Sequence, residues 1–404
     1  MRALRILFIF AILPAFMFLC SCGGGSSRSS SSISPSQTIT TSGTNVASIS
    51  VNGGPLGNYD DAAFASVTVC VPGTSTCQTV DNVLVDTGSS GLRILSSALT
   101  VALPQQNASN GNPVFECFPF ISGYTWGPVQ TADVEIAGEK ASSAAVEVIG
   151  TNTPVPSGCL DFGLPSSGTL DALGANGILG VGLFAQDCGA DCPTTIYYEC
   201  PSSNCQGISE SLAQQVANPV SLFATDNNGV IIELQAVSGG EQPSVSGSLV
   251  FGIATQSNNA LGGATVYTAN PTSGNFTTTY NGTAYPESFI DSGSNGFYFL
   301  SSSVSGVPAC GGDASGFYCP SSTANISATN QGTNGTSRTV NFSIANADTL
   351  FGSNDSALAD LGGPSSMSAP YFFDWGLPFF FGRNVFVAIQ GQNAPGGTPP
   401  YWAY

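Results

Sequence analysis

Val83-Leu84-Val85-Asp86-Thr87-Gly88-Ser89-Ser90-Gly91 is an apolar run suited to a buried strand that leads straight into an acid, a small hydroxyl residue, glycine and serine. A partner follows 205 residues later (291 − 86), in Phe289-Ile290-Asp291-Ser292-Gly293-Ser294-Asn295-Gly296. An acid at the end of such a strand is poorly hydrated and held in a tight turn. Two copies point to two carboxylates brought together by a two-lobed fold.

A longer repeat accompanies them. Asp86 is followed 94 residues later (180 − 86) by Gly180, in Gly177-Ile178-Leu179-Gly180-Val181-Gly182. Asp291 is followed 91 residues later (382 − 291) by Gly382, in Phe379-Phe380-Phe381-Gly382-Arg383. Glycine at such a position lets a second strand cross close beside the acidic turn, so Gly180 and Gly382 are read as the crossing glycines. The remaining signal is all-β. Short β-branched and aromatic runs, such as Ala65–Cys70, Thr79–Val85, Ala145–Ile149 and Ser248–Ile253, are broken by Gly, Pro, Asn and Ser. Ser209 to Val216 is the clearest candidate helix, and Ala357 to Leu361 a second helical turn. The aromatic segment Tyr371 to Phe381 is expected to pack behind Asp291, with a ligand platform as the alternative.

Composition narrows the function. The chain contains no His, which excludes Ser-His-Asp and Cys-His nucleophiles and His-containing zinc sites. A formal net charge of −18 without basic clusters, and no phosphate-binding glycine motif, argue against nucleic acid or nucleotide partners. Charged residues are only 8% of the chain, so few ion pairs break on acidification and tolerance of mild acid is expected.

The N-terminus reads as a processing signal. Arg2 and Arg5 precede an apolar stretch from Ile6 to Leu19, too short to span a bilayer, for which roughly 20 residues are needed. Leu19-Cys20-Ser21-Cys22 resembles a bacterial lipoprotein processing site, which implies a signal peptide over 1–21 and lipidation of Cys22. Gly23, rather than Asp, follows, so the expected location is the cell envelope, anchored by lipid to the outer membrane. A Ser-rich tether is expected over 22–47, an N-terminal lobe over 48–254 and a C-terminal lobe over 255–404. In that oxidising compartment ten cysteines are expected to pair. Cys70 with Cys77 and Cys310 with Cys319 flank turns, and Cys117 with Cys159 is the remaining candidate bridge. Cys188, Cys192, Cys200 and Cys205 are read as disulfides, with a zinc cluster as the alternative.

Asp86-Thr87-Gly88-Ser89 and Asp291-Ser292-Gly293-Ser294 resemble the two catalytic loops of pepsin-like aspartic peptidases. Gly177-Ile178-Leu179-Gly180 and Phe380-Phe381-Gly382 resemble the elements that cross them, and Gly247-Ser248-Leu249-Val250-Phe251-Gly252 the strand near the interlobe sheet. The chain also looks like a family of uncharacterised bacterial lipoproteins carrying this pattern. The resemblance covers residues 50–391 and implies a bilobal pepsin-like fold with an interlobe cleft. It further implies an aspartic endopeptidase acting on an extended peptide or protein, with no metal or cofactor. Asp86 and Asp291 are then the catalytic pair. Ser89 and Ser294 donate to their outer oxygens, Gly88 and Gly293 bring backbone N–H groups close, and Thr87 and Ser292 complete the loops. Tyr124 is the candidate aromatic of the hairpin that covers the cleft, with Trp126 the alternative. Arg93 and Arg383 are departures that could disturb proton sharing if either lies beside the pair. Two further readings use the same fold: a catalytically inactive envelope binding or structural protein, and a processing peptidase restricted to a few targets.

Overall fold

Alternation in the sequence becomes strands, and its loss marks where strands are covered on both faces. In Cys77–Asp86 the outer residues alternate between wet and buried, but Val83, Leu84, Val85 and Asp86 are all buried. The computed structural model describes residues 37–404 apart from 191, 193, 194, 203 and 366–371. The signal segment 1–21, Cys22 and the first part of the tether lie outside the described residues, as does Tyr371.

The first half contains β1 (Val46–Val51), β2 (Ala63–Cys70), β3 (Cys77–Asp86), β4 (Ser90–Leu95), β5 (Val114–Pro119), β6 (Tyr124–Ile136), β7 (Glu139–Ile149) and β8 (Gly177–Val181). The order β2-β3-β8-β4-β7-β6 closes on itself, because β6 returns to β2 through Thr68 opposite Glu135. A closed barrel leaves no open edge and a dry interior filled by valines, isoleucines and leucines. The β5–β6 hairpin projects from it and is extended by β9 (Tyr197–Glu199) and β10 (Gln206–Ile208).

Strands β11 (Gly229–Leu234), β12 (Glu241–Gln242), β13 (Val245–Phe251), β14 (Val266–Thr268), β15 (Phe276–Tyr280), β16 (Thr283–Ile290) and β17 (Phe297–Phe299) follow. The chain continues through β18 (Ala324–Gln331), β19 (Ser337–Ile344), β20 (Ala357–Leu358), β21 (Gly362–Pro364), β22 (Asp374–Trp375), β23 (Arg383–Ala388) and β24 (Tyr401–Ala403). The second half is a seven-stranded sheet, β19-β18-β15-β16-β22-β17-β21, and the run β1-β13-β11-β23-β24-β14 joins the two halves. Local topology repeats around each acid. β8 lies parallel to β3 and antiparallel to β4, just as β22 lies parallel to β16 and antiparallel to β17.

An aromatic core backs the second acid. Phe299, Phe373 and Trp375 stack, with centroids 5.1 Å apart for the first pair and 5.7 Å for the second, and Phe297, Phe342 and Phe379 meet Trp375 edge-on. The expected packing role therefore holds for the described residues Phe372–Phe381, all of which are buried. Among the described residues, five disulfides join Cys70–Cys77, Cys117–Cys159, Cys188–Cys192, Cys200–Cys205 and Cys310–Cys319. The four clustered cysteines thus form two short bridged loops rather than a zinc site.

Three expectations need correction. Ser209–Val216 forms only a turn around Ser211–Gln215. A run this short nucleates poorly, and tertiary partners take its polar groups: Gln215 bonds Gly189 through both side-chain ends, and Val216 N–H donates to the Tyr197 hydroxyl. Ala357-Leu358 is a strand, β20, paired with β12. Residues 37–47 are not part of a free tether, since Gln37 Nε2 donates to Leu234 O at 2.8 Å and Ser248 Oγ to Thr40 O at 2.5 Å. From Gln37 onward the segment is fastened to the joining sheet.

Candidate active site

Each acid sits where a buried strand ends and a glycine turn begins. Asp86 terminates β3, and Gly180 on β8 lies directly opposite it. A Cβ on Gly180 would come within 2.7 Å of the Ser90 backbone and 2.8 Å of Ser89 Oγ, so only glycine lets β8 pass there. The second crossing is at Gly376, not Gly382. Ile290 pairs with Trp375, and a Cβ on Gly376 would lie 2.1 Å from Gly296 O and 2.7 Å from Ser294 O. Gly382 instead occupies a left-handed turn (φ 72°) beside Ala236, with its N–H donating to Leu234 O. Gly376→Ala is therefore expected to cost on the order of 1–3 kcal/mol through overpacking and to displace the Ser294 loop. Denaturant unfolding checks this; wild-type stability in that variant would mean the crossing is elsewhere.

The two turns interlock. Ser292 N–H donates to Thr87 Oγ1 at 2.9 Å and Thr87 N–H to Ser292 Oγ at 3.1 Å. Each hydroxyl also reaches across the junction, Thr87 Oγ1 to Ile290 O at 3.1 Å and Ser292 Oγ to Val85 O at 2.7 Å. These bonds join the carboxylate-bearing loops directly. Gly88 N–H donates to Asp86 Oδ1 at 2.7 Å and also to Asp291 Oδ1 at 3.1 Å. Gly293 N–H donates to Asp291 Oδ1 at 2.8 Å, and a Cβ on Gly293 would lie 2.7 Å from Asp86 Oδ1. Outer oxygens are held by Ser89 Oγ on Asp86 Oδ2 at 2.5 Å and Ser294 Oγ on Asp291 Oδ2 at 2.8 Å.

Burial disfavours a charge on Asp86, and the charge of Asp291 adds to the effect, pushing its pKa up to about 8 against the pull of Ser89 and Gly88. Asp374 was not anticipated. It is buried on β22, two residues before Gly376, where the first half has Ile178. Burial, then the neighbouring Asp291, holds its carboxyl well above the usual range, with Ser294 opposing.

Arg93 does not reach the pair. Its guanidinium is fully buried among Glu116 (2.7 Å), Asp187 (2.9 Å) and Glu147 (3.2 Å), and it donates to Ser90 O at 2.9 Å. Arg383 is also removed from it, lying 4.5 Å from the Phe379 ring centroid and bonding Phe379 O. The Arg93 cluster stands behind the cleft wall, with the guanidinium 3.9 Å from the centroid of Phe118.

A cleft of about 400 Å³ opens over the two acids. Its hairpin wall is Phe118, Phe120 and Ile121, and Leu183, Phe184 and Phe289 add further apolar surface. Tyr124 and Trp126 do not line it. Both are buried with Phe115, Tyr198 and the Cys117–Cys159 bridge, and Trp126 Nε1 donates to Thr153 O at 3.0 Å. Tyr124 and Trp126 lie two residues apart on β6, so both point to the same buried face of the β5–β6 hairpin. Tyr59, from the loop between β1 and β2, lines the cleft instead and was missed. Only its position in a Gly-Pro-Leu-Gly-Asn turn 27 residues before Asp86 (86 − 59) could have flagged it.

Residues 41–404 match the model of a family described as a protein of unknown function, DUF3443. The chain belongs to the DUF3443 family. No curated protein matches it. Among solved structures, this DUF3443 chain is similar to the crystal structure of an aspartic proteinase from Irpex lacteus. The TM-score is 0.53 at 15% identity, over 89% of this chain and 96% of that one. At that identity the likeness shows the fold: this DUF3443 protein has the bilobal, all-β pepsin-like architecture.

Proposed function

We propose that this chain is an aspartic endopeptidase in which Asp86 and Asp291 activate water against a peptide bond held across the cleft. The observation that carries the reading is the shared donor: one N–H, that of Gly88, serves the inner oxygens of both carboxylates. Two acids this close, one from each half, do not both ionise cheaply, so the pair keeps one proton. The ionised member takes a proton from a water shared between them, and that water attacks the peptide carbonyl. The protonated member donates to the developing oxyanion, and the pair then delivers a proton to the leaving nitrogen. Because the roles exchange, the pair titrates as a unit. Ser89 and Ser294 orient the carboxylates from outside. A cleft walled by Phe118, Phe120, Leu183 and Phe289 beside polar loops suits an unfolded segment of polypeptide.

The same reading keeps Cys22 as the lipidated residue that tethers the domain to the envelope, most simply the outer membrane. Its support is the processing-site sequence alone, and mass analysis of the mature N-terminus from a bacterial host tests it.

The direction at Asp86 sets a pH expectation. A pair that retains its proton until about pH 8 should cleave from mildly acidic through neutral pH and lose activity as the pH rises beyond that point. Purified protein incubated with a library of unfolded peptides checks this. Cleavage should be blocked by a peptide bearing a hydroxyl in place of the scissile carbonyl. Tight binding of that mimic without turnover of any peptide would instead favour an inactive binding protein.

A further inference from the structure

The hairpin brings no phenol to the acids, since the residues it gives the cleft are Phe118, Pro119, Phe120, Ile121 and Ser122. Among the described residues lining the cleft, Tyr59 is the only tyrosine. Its placement is enforced from both halves. Tyr59 N–H donates to Gly53 O at 3.0 Å, and its ring meets Phe64 edge-on with centroids 6.0 Å apart. The ring also lies over Gly174, where a Cβ would come within 2.3 Å of it. Two residues on, buried Asp61 reaches the other half: its N–H donates to Ser356 O at 2.8 Å, and its Oδ1 accepts from Leu358 N–H at 2.6 Å. Asp61 is held at φ 52°, an uncommon conformation for a residue with a side chain, and these two bonds maintain it.

A loop pinned this firmly presents a fixed group to whatever enters the cleft. Burial, followed by the charges of Asp86 and Asp291, raises the phenol's pKa above its ordinary value, so the hydroxyl remains a donor across the working range. We propose that Tyr59 hydrogen-bonds the substrate's peptide group at the reacting centre, supplying from the β1–β2 loop a phenol that the hairpin lacks. The inference rests on the peptidase reading of the same site. The bond orients the carbonyl beside the shared water and strengthens as the carbonyl oxygen gains charge.

Tyr59→Phe isolates the hydroxyl, because the ring's packing on Phe64 and Gly174 is kept. Cleavage of the best library peptide should fall about 10- to 100-fold in kcat/KM. The loss should lie mainly in kcat, with an unchanged Tm, which a purely structural role does not produce. Equal kinetics in Tyr59→Phe and wild type overturns the inference and leaves the peptidase reading standing. If the wild type binds the hydroxyl-bearing mimic without turnover, affinity for the mimic decides: a tenfold or greater loss in the variant supports Tyr59, and no loss overturns it. If the wild type neither cleaves nor binds, both readings fall together.

Discussion

Asparagine at position 86 or at position 291 is expected to lower peptide cleavage by roughly 10²- to 10⁴-fold, with the fold retained. The substitution conserves shape, and an amide oxygen can still accept the Gly88 or Gly293 N–H bond. On the peptidase reading, what disappears is the exchangeable proton and the paired charge that activates water. Stability should be equal or higher, because each variant relieves a buried acid of its like-charged neighbour. The measurement is turnover beside thermal unfolding for both single variants. Near wild-type turnover in either one means that the carboxylates do not do the chemistry.

Arg93→Met should be the most damaging change outside the cleft, costing about 3–5 kcal/mol at neutral pH. Three carboxylates converge on this one guanidinium, all four side chains are fully buried, and Thr125 and Tyr197 complete the shell at 2.7 Å from Glu147 and 2.8 Å from Asp187. Removing the cation leaves buried acids with no counter-charge. Burial and then the charge of Glu116 already hold Glu147 and Asp187 well above the usual carboxylate range, with Arg93 opposing. A folded-state pKa raised in this way gives stability that is fully present below the unfolded value. It is lost as pH rises through the folded one. The destabilisation should therefore shrink on acidification, so unfolding midpoints of variant and wild type converge near pH 5 and diverge near pH 8. A gap independent of pH would show that the cluster's charge is not what the arginine balances.

How much of this was readable beforehand depends on residue chemistry. Asp86 and Asp291 announced themselves because a buried acid before glycine is rare, and their neighbours at +1 to +3 were found with them. Gly180 was legible because Ile178 and Leu179 keep its strand apolar. Gly376 was hidden, because Asp374 breaks the apolar pattern and three consecutive phenylalanines before Gly382 imitate it better. Tyr124 and Trp126 misled for a different reason. Sequence shows that an aromatic lies near a hairpin tip, but the side on which a strand residue points is fixed by register, here Trp126 opposite Cys117. Arg93 could be located but not interpreted, since Glu116, Glu147 and Asp187 come from separate elements that only the folded chain assembles.

The sheet that joins the halves also has a consequence in time. Val46 pairs with Val250, 204 residues away (250 − 46), and Gly229 with Ala388, 159 away (388 − 229). Pairings so distant in sequence close slowly, because chain entropy is lost before contacts repay it. A growing chain can complete the first barrel early, yet it holds only Asp86 of the pair until Asp291 has been added. Arg383–Ala388 joins the sheet later still, opposite Gly229–Leu234. Under the peptidase reading, synthesis itself imposes a latent period, and hydrolytic power waits until Asp291 has joined the fold.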